Sequence, residues 1–342
     1  MNPGVIVAIV VASILALILI FLISIILYAS KLNKLGNRKF CESSRQLNGI
    51  TAIITGGNNG IGKETALDFA QRGAKVILAC RNLANAETVK QELIKLSEND
   101  DIRVVKLDLS DLKSVRECAR EILSTEDHLD IIVNNAGAAF GPSITKDKFH
   151  YIFGINYVGH FLLNYLLLEL IVKSNYGRIV SVSSMMYSRA KTLDFTPRDQ
   201  SDIRYPFLKT YETSKLAMIL HMRHLSRLLR EYRINTYSLH PGMVDTGIFQ
   251  GMEDNHNALL VAIFECVKRF TAIDCKTGAQ TQIHCAVDEE AGNETGLYYD
   301  NCEVTELQTT ISKDENMARK LWEESCRMVS VGLLPPCLQT FS

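Results

Sequence analysis

The sequence predicts an α/β fold: a single domain built on a doubly wound parallel sheet, preceded by an N-terminal transmembrane helix. Three observations predict it. Short β-branched runs alternate with helix-patterned segments from residue 50 to 239, as parallel strands joined by crossover helices do. The strand candidates read as continuous apolar runs, which is how strands covered on both faces appear. Ahead of them, residues 4–30 carry no charged side chain, a longer stretch than the ~20 residues that span a bilayer as a helix.

Length and composition agree with this. The 342 residues are 47% hydrophobic and carry a net charge of -1. That suits one large α/β domain and excludes the basic footprint of a nucleic-acid binder. Nothing basic precedes the apolar run, and the run is too long for the core of a cleaved signal, so a retained anchor is expected. Lys31, Lys34, Arg38, Lys39 and Arg45 follow it, against the single acid Glu42. Positive flanks stay cytoplasmic, which puts the bulk of the chain in the cytosol and the short N-terminus in the lumen. The nine cysteines are odd in number and show no C-x-x-C pair, so they read as reduced thiols, not as a disulfide framework or metal site. Residues 31–48 read as a basic linker, 49–330 as the domain, and 331–342, with Pro335 and Pro336, as a tail.

Taken in order, 50–55 (ITAIIT) is a strand and 63–72 a helix, 75–80 (KVILAC) a strand and 84–96 a helix, 102–107 (IRVVKL) a strand and 112–123 a helix. Residues 129–133 (LDIIV) make the fourth strand, and a long helix covers 146–172. Residues 177–182 (GRIVSV) make the fifth strand, 211–232 a helix and 234–239 the sixth strand. Each helix rests on 3.6-residue spacing and each strand on an apolar, β-branched run.

Chemistry collects where the strands end. The first strand runs into Thr55-Gly56-Gly57-Asn58-Asn59-Gly60-Ile61-Gly62-Lys63. Glycines at 56, 60 and 62 remove Cβ atoms where backbone must approach a ligand. The helix behind offers free N–H groups and a positive dipole end to a pyrophosphate. The spacing is Gly-x-x-x-Gly-x-Gly, not the more familiar Gly-x-Gly-x-x-Gly, and a tight turn with no ligand is the plainer alternative. The second strand ends in Ala79-Cys80-Arg81-Asn82. No acid stands there for ribose hydroxyls, and an arginine accommodates a 2′-phosphate, so Arg81 favours NADP over NAD unless it is an ordinary surface residue. Asp108, after the third strand, either accepts from an adenine amine or caps the helix that starts at Asp111.

Tyr211 and Lys215 are spaced to share one helix face. A nearby ammonium favours the tyrosinate, bringing a side chain of pKa ~10 toward proton exchange at neutral pH. A solvated helical pair is the alternative. Ser181-Val182-Ser183-Ser184 ends the fifth strand and Asn134-Asn135-Ala136-Gly137 the fourth, on the edge where doubly wound sheets place ligands. Asn156 and His160 interrupt an apolar stretch. A buried amide needs partners, and both residues read most simply as satisfied core groups.

Together, TGGNNGIG at 55–62, NNAG at 134–137, Asn156, SVSS ahead of Tyr211-x-x-x-Lys215, and His240-Pro241-Gly242 resemble the short-chain dehydrogenase/reductase family over about 49–305. The resemblance implies a Rossmann-type fold that holds a nicotinamide dinucleotide. The residues implied are Gly56, Asn59, Gly60, Ile61, Gly62, Arg81, Asp108, Asn135, Ala136 and Gly137. It implies Tyr211 as proton donor or acceptor, and Lys215 as holding the nicotinamide ribose and lowering the tyrosine pKa. Ser184, in preference to Ser183, would orient the carbonyl or hydroxyl, and Asn156 would hold a water linking Lys215 to solvent. Pro241, Gly242 and Thr246 would contact the nicotinamide end.

More narrowly, ILACRN, NYVGHFLL, YETSK, HPGMVDTGI and TGAQT, with the anchor, are similar to the membrane-anchored retinol dehydrogenase group. That likeness implies NADP(H) and retinoids, or steroid, isoprenoid or fatty aldehyde substrates. It also implies an endoplasmic reticulum or lipid-droplet membrane with the catalytic domain facing the cytosol. Gly57 and Asn59 depart from the Ala and Thr of many relatives. A non-catalytic membrane or lipid-droplet binding protein that keeps the fold is the remote alternative, and no metal is expected. Residues 245–274, with the apolar ALLVAIFECV followed by Lys268 and Arg269, would wall the site or rest on the bilayer, and 185–208 would border the same pocket.

Overall fold

The computed structural model describes residues 2–33, 38–193, 207–245, 268–269 and 272–341. Helix α1 (Pro3–Asn33) is the apolar run. Its first 22 residues, Pro3–Ser24, have mean hydropathy 3.5 and bury nothing against the rest of the chain. With no charged residue, this stretch is a candidate membrane span by length and composition alone.

The sheet has eight strands in the order β3-β2-β1-β4-β5-β6-β7-β8. They are β1 (Thr51–Thr55), β2 (Lys75–Cys80), β3 (Ile102–Lys106), β4 (Ile131–Asn134), β5 (Arg178–Val182), β6 (Asn235–His240), β7 (Leu297–Asp300) and β8 (Glu303–Val304). The first seven pair in parallel. The eighth folds back antiparallel on β7. Parallel neighbours need crossovers, and helices supply them: α2 (Gly60–Gln71), α3 (Leu83–Ser97) and α4 (Leu112–Thr125) on the first half of the chain. Helix α5 (Tyr151–Phe153) runs through a π turn at Gly154–Val158 into α6 (Gly159–Ile171). Then come α7 (Phe207–Leu228) and α8 (Cys275–Val287), with the short α9 (Thr310–Lys313) and α10 (Glu315–Met328) closing the domain.

Alternation along each strand divides the core. Ile53, Ile77, Val105, Ile132 and Ile179 join the α4, α6, α7 and α10 layer. Ala52, Ile54, Leu78, Val133 and Val180 join the α2, α3 and α8 layer. Both faces are dry, so every position of β1, β4 and β5 is buried. This is why these strands read as unbroken apolar runs. Truncating a fully buried residue such as Ile53 to Ala would cost about 2–5 kcal/mol.

The chain winds outward from β1 to β3, then returns to lay β4 on the other side of β1. That reversal opens a crevice beyond the carboxyl ends of β1 and β4, the place where doubly wound sheets hold ligands. Residues 55–62, Arg81, residues 134–137, Ser184 and residues 241–242 lie at or just past the ends of β1, β2, β4, β5 and β6, so they line this one edge.

Several boundaries differ from expectation. The helix expected over 146–172 begins only at Tyr151. Residues before it are held in a loop, where Ile144 bridges His150 and Asp147 accepts from Leu112 N–H at 2.8 Å. Residues 38–47, expected as linker, pack on the domain, and Leu47 is wholly buried. The expected tail folds as a 3-10 turn, Pro336–Phe341, with Leu338 buried and Trp322 Nε1–H donating to Leu333 O at 2.8 Å.

Candidate active site

The turn after β1 is built without room for side chains. Gly56 and Gly60 take φ of 64° and 54°, the left-handed region open mainly to glycine. Gly62 is hemmed in differently: a Cβ there would lie 2.4 Å from Asn135 Nδ2 and 2.6 Å from Gly56 O. Asn59 caps α2, its side chain accepting from Gly60 N–H at 2.7 Å, so the remaining free N–H groups of the first turn face the crevice edge. A pyrophosphate fits this cradle by charge and by the space the missing Cβ atoms leave.

The end of β4 locks onto that turn. Thr55 Oγ1, fully buried, accepts from Asn135 N–H at 2.9 Å and Ala136 N–H at 3.0 Å. Asn135 Nδ2–H returns a bond to Thr55 O at 2.9 Å. Asn134 Nδ2–H reaches across to Ser181 Oγ of β5 at 3.0 Å. Gly137 follows directly, so the whole 134–137 run sits against the glycine turn.

Asn156 occupies the π turn, a wider coil that commonly marks functional positions. Its Oδ1 accepts from Ala138 N–H at 2.8 Å, and its Nδ2 donates to Ala138 O at 2.9 Å and Ser214 Oγ at 3.1 Å. The side chain thus ties the β4 loop to α7 one residue before Lys215. Both Nδ2 hydrogens donate to protein oxygens, so the expected water between Asn156 and Lys215 would donate to an oxygen of Asn156. His160 is buried with Nε2 2.9 Å from Thr55 Oγ1 and Nδ1 3.3 Å from Asn156 O. Burial holds its pKa near about 3. It is a satisfied, neutral core histidine, as the sequence suggested.

Ser184, Tyr211 and Lys215 converge at the end of β5. The two candidate serines separate cleanly. Ser183 Oγ–H donates to Lys215 O at 2.7 Å and is buried, which makes it a strut between β5 and α7. Ser184 caps the 3-10 turn Met185–Arg189 and hydrogen-bonds the Tyr211 side chain. Burial pushes Tyr211 up to about 12, opposed by the Ser184 hydrogen bond. Lys215 Nζ donates to Val182 O at 2.9 Å and lies 5.4 Å from the Tyr211 ring centroid. Burial pulls its pKa down to about 8. Burial is what raises the tyrosine; the lowering expected from Lys215 comes from its charged form, which a pKa of about 8 keeps at neutral pH.

Arg81, at the end of β2, is exposed and donates from Nη1 to Tyr151 Oη at 3.1 Å. Tyr151 was not singled out in the sequence. Its ring stacks so closely on Gly141 that a Cβ there would meet Cε1 at 2.2 Å. Asp108 folds into a local turn, with Oδ1 accepting from Ser110 N–H at 3.0 Å and Ser110 Oγ–H at 2.6 Å. The cap of α4 is Asp111 instead. At the end of β6, Gly242 takes φ 92° beside Pro241. Thr246, most of 245–274 and residues 194–206 lie outside the described residues. Helix α8 closes on α2 through Gln282 Nε2–H, which donates to Ile61 O at 3.1 Å. Close packing there requires Gly278, where a Cβ would meet Val244 at 2.5 Å and Ile61 at 2.9 Å.

Comparison with known proteins places this arrangement. A family model described as short chain dehydrogenase matches residues 50–257. Human retinol dehydrogenase 11 is 37% identical over 319 residues, covering 92% of this chain and 98% of its own. Human retinol dehydrogenase 12 is 38% identical over 292 residues, covering 85% and 90%. Among solved structures, an uncharacterised protein from Mycobacterium paratuberculosis matches with TM-score 0.67 at 25% identity, over 87% of this chain and 100% of that one.

Proposed function

The chain belongs to the short-chain dehydrogenase/reductase family, and on that premise we propose that it is an NADP(H)-dependent, membrane-anchored oxidoreductase that reduces a retinaldehyde-like carbonyl to its alcohol. When bound, the nicotinamide supplies the hydride, and the protein's own groups bind, orient and move the proton. The observation that carries the reading is the meeting of Ser184, Tyr211 and Lys215 beside the glycine cradle.

Gly56, Gly60, Ile61 and Gly62 would hold the pyrophosphate, with Asn59, Asn135, Ala136 and Gly137 setting the shape of the turn. Arg81, held by Tyr151, would meet a 2′-phosphate, and Asp108 lies at the adenine side. Pro241, Gly242 and Thr246 would border the nicotinamide. Ser184 Oγ–H would donate to the substrate oxygen while Tyr211 Oη–H delivers the proton there. Lys215, buried beneath them, would orient the ribose. Asn156 acts as a positioning residue, fixing α7 against the β4 loop. A phenol held protonated near neutral pH is a ready donor, which favours carbonyl reduction.

The names of the relatives, together with the apolar helix α1, support a lipophilic substrate. Helix α1 would sit in the endoplasmic reticulum membrane with the domain on the cytosolic side. A substrate panel on membranes carrying the full chain tests the reading: retinaldehyde, steroid ketones and isoprenoid aldehydes, each with NADPH and NADH. Turnover of retinaldehyde with NADPH is expected, and preference for NADH would refute the role given to Arg81.

A further inference from the structure

Residues 38–47 lie along the domain as a strap whose first residues reach the carboxyl edge of the sheet. Lys39 N–H donates to Asn301 Oδ1 at 2.9 Å, and Cys302 Sγ–H donates back to Lys39 O at 3.6 Å. Cys41 N–H donates to Gln280 Oε1 at 3.0 Å. Arg72 Nη1 binds the carbonyls of Ser43 and Arg45, each at 2.8 Å. Leu47 N–H donates to Arg72 O at 2.7 Å. Asn301 and Cys302 take φ of 56° and 60°, the two left-handed positions of a tight hairpin turn. The strap therefore grips the tip of the β7–β8 hairpin.

Arg38 is the innermost contact. Its side chain is 10% exposed and pairs with Asp300 at 3.6 Å. Its guanidinium lies over Gly242, where a Cβ would sit 2.7 Å from Nη2. Gly242 belongs to the turn assigned to the nicotinamide end. The segment between the apolar run and this contact is short. The uncharged run ends at Ser30, and α1 continues to Asn33, adding ~4.5 Å of helix. The five links from Asn33 to Arg38 reach at most ~17 Å when fully extended. The Arg38 backbone thus stays within ~22 Å of the end of the apolar run, and the Pro241–Gly242 turn lies one arginine side chain further on.

We propose that this strap is an orienting tether that holds the carboxyl edge of the sheet, and the mouth of the site on it, toward a lipid bilayer spanned by α1. A lipid-dissolved substrate would then meet the site at the membrane surface. A domain on a loose linker would present every face equally. The inference rests on the reading of α1 as an anchor, and needs neither cofactor nor substrate for its test.

Full-length protein carrying a fluorescent coumarin amino acid in place of the exposed Val304 of β8 is reconstituted in phosphatidylcholine vesicles. These contain a headgroup-labelled acceptor lipid, and energy transfer is measured. A Gly-Ser insertion of about 15 residues after Asn33 leaves every strap contact in place while adding a flexible span of ~20 Å. The proposal expects the insertion at least to halve the transfer efficiency. Unchanged transfer in carbonate-resistant, membrane-embedded protein overturns the proposal alone. Protein stripped from the vesicles by carbonate overturns it together with the anchor.

Discussion

Gly62→Ala probes the phosphate cradle at its tightest point. The added Cβ would stand 2.4 Å from Asn135 Nδ2 and 2.6 Å from Gly56 O, against ordinary contact at 3.4 Å or more. Neither neighbour can swing away. Gly56 O is backbone in a left-handed turn, and Asn135 Nδ2 is committed to Thr55 O. Overpacking of this kind costs about 1–3 kcal/mol, and a weakened Asn135 hydrogen bond adds about 1 kcal/mol. The total of about 2–4 kcal/mol should lower Tm by about 4–8 °C in a domain of this size. The displaced turn should also weaken NADPH about 10–100-fold, equivalent to about 1.4–2.8 kcal/mol. Fluorescence titration of full-length protein with NADPH, with thermal denaturation alongside, measures both. Gly57→Ala is the control. Its Cβ meets Leu78 Cδ2, the end of a side chain, at 2.8 Å and Ile54 O at 3.3 Å. It should cost about 1 kcal/mol and leave the NADPH Kd within about 3-fold. A Gly62→Ala protein that binds NADPH like the parent would refute the cradle.

Tyr211→Phe keeps the ring and removes the proton, so carbonyl reduction should fall about 10²–10⁴-fold with NADPH affinity unchanged; near-normal turnover would sink the assignment. Tyr151→Phe removes the group that holds Arg81. KM for NADPH should rise about 3–10-fold, equivalent to the about 0.7–1.4 kcal/mol of an ordinary exposed hydrogen bond, while KM for NADH stays constant. An equal change for both cofactors would show that Tyr151 acts on packing and not on the 2′-phosphate.

Strands β1, β2, β4 and β5 were legible because burial on both faces leaves a largely apolar run. The same logic hides β7, whose LYYD is only four residues long, with its ends half-buried. Helix α8 was obscured by Gly278, a weak helix former. The packing of α8 on α2 overrides that propensity, since no larger residue fits between Val244 and Ile61. Helix α10 did carry a readable signal. Asp314 caps it, accepting from Asn316 and Met317 N–H, and Ala318, Leu321, Trp322, Ser325 and Cys326 share its buried face. At the site, residues that end strands were readable from their order in the chain. Partnerships spanning long stretches of sequence were not. The bond from Arg81 to Tyr151 joins residues 70 apart, and Arg38 reaches Gly242 from the opposite end of the domain. No periodicity encodes such pairs. The roles of Ser183 and Ser184 likewise separate only once the fold shows which hydroxyl the Lys215 carbonyl takes.

Where burial leaves the proton sets how each direction of the reaction should depend on pH. Desolvation favours neutral groups, so it acts oppositely on the two partners, raising Tyr211 to about 12 and lowering Lys215 to about 8. At neutral pH the phenol holds its proton and can donate without prior ionisation. Alcohol oxidation needs the phenolate, and reaching it from about 12 at pH 7 costs roughly 7 kcal/mol. The rate of alcohol oxidation should therefore climb close to tenfold per pH unit from about pH 6 to 8, while carbonyl reduction stays nearly flat. Above about pH 8 the rise in oxidation should slacken as Lys215 loses its charge and its support for the phenolate. Initial rates in both directions across this range, at saturating NADPH or NADP, make the comparison. Oxidation that is flat with pH would mean the phenol is already ionised at neutrality, and would remove the physical basis for assigning this protein to reduction.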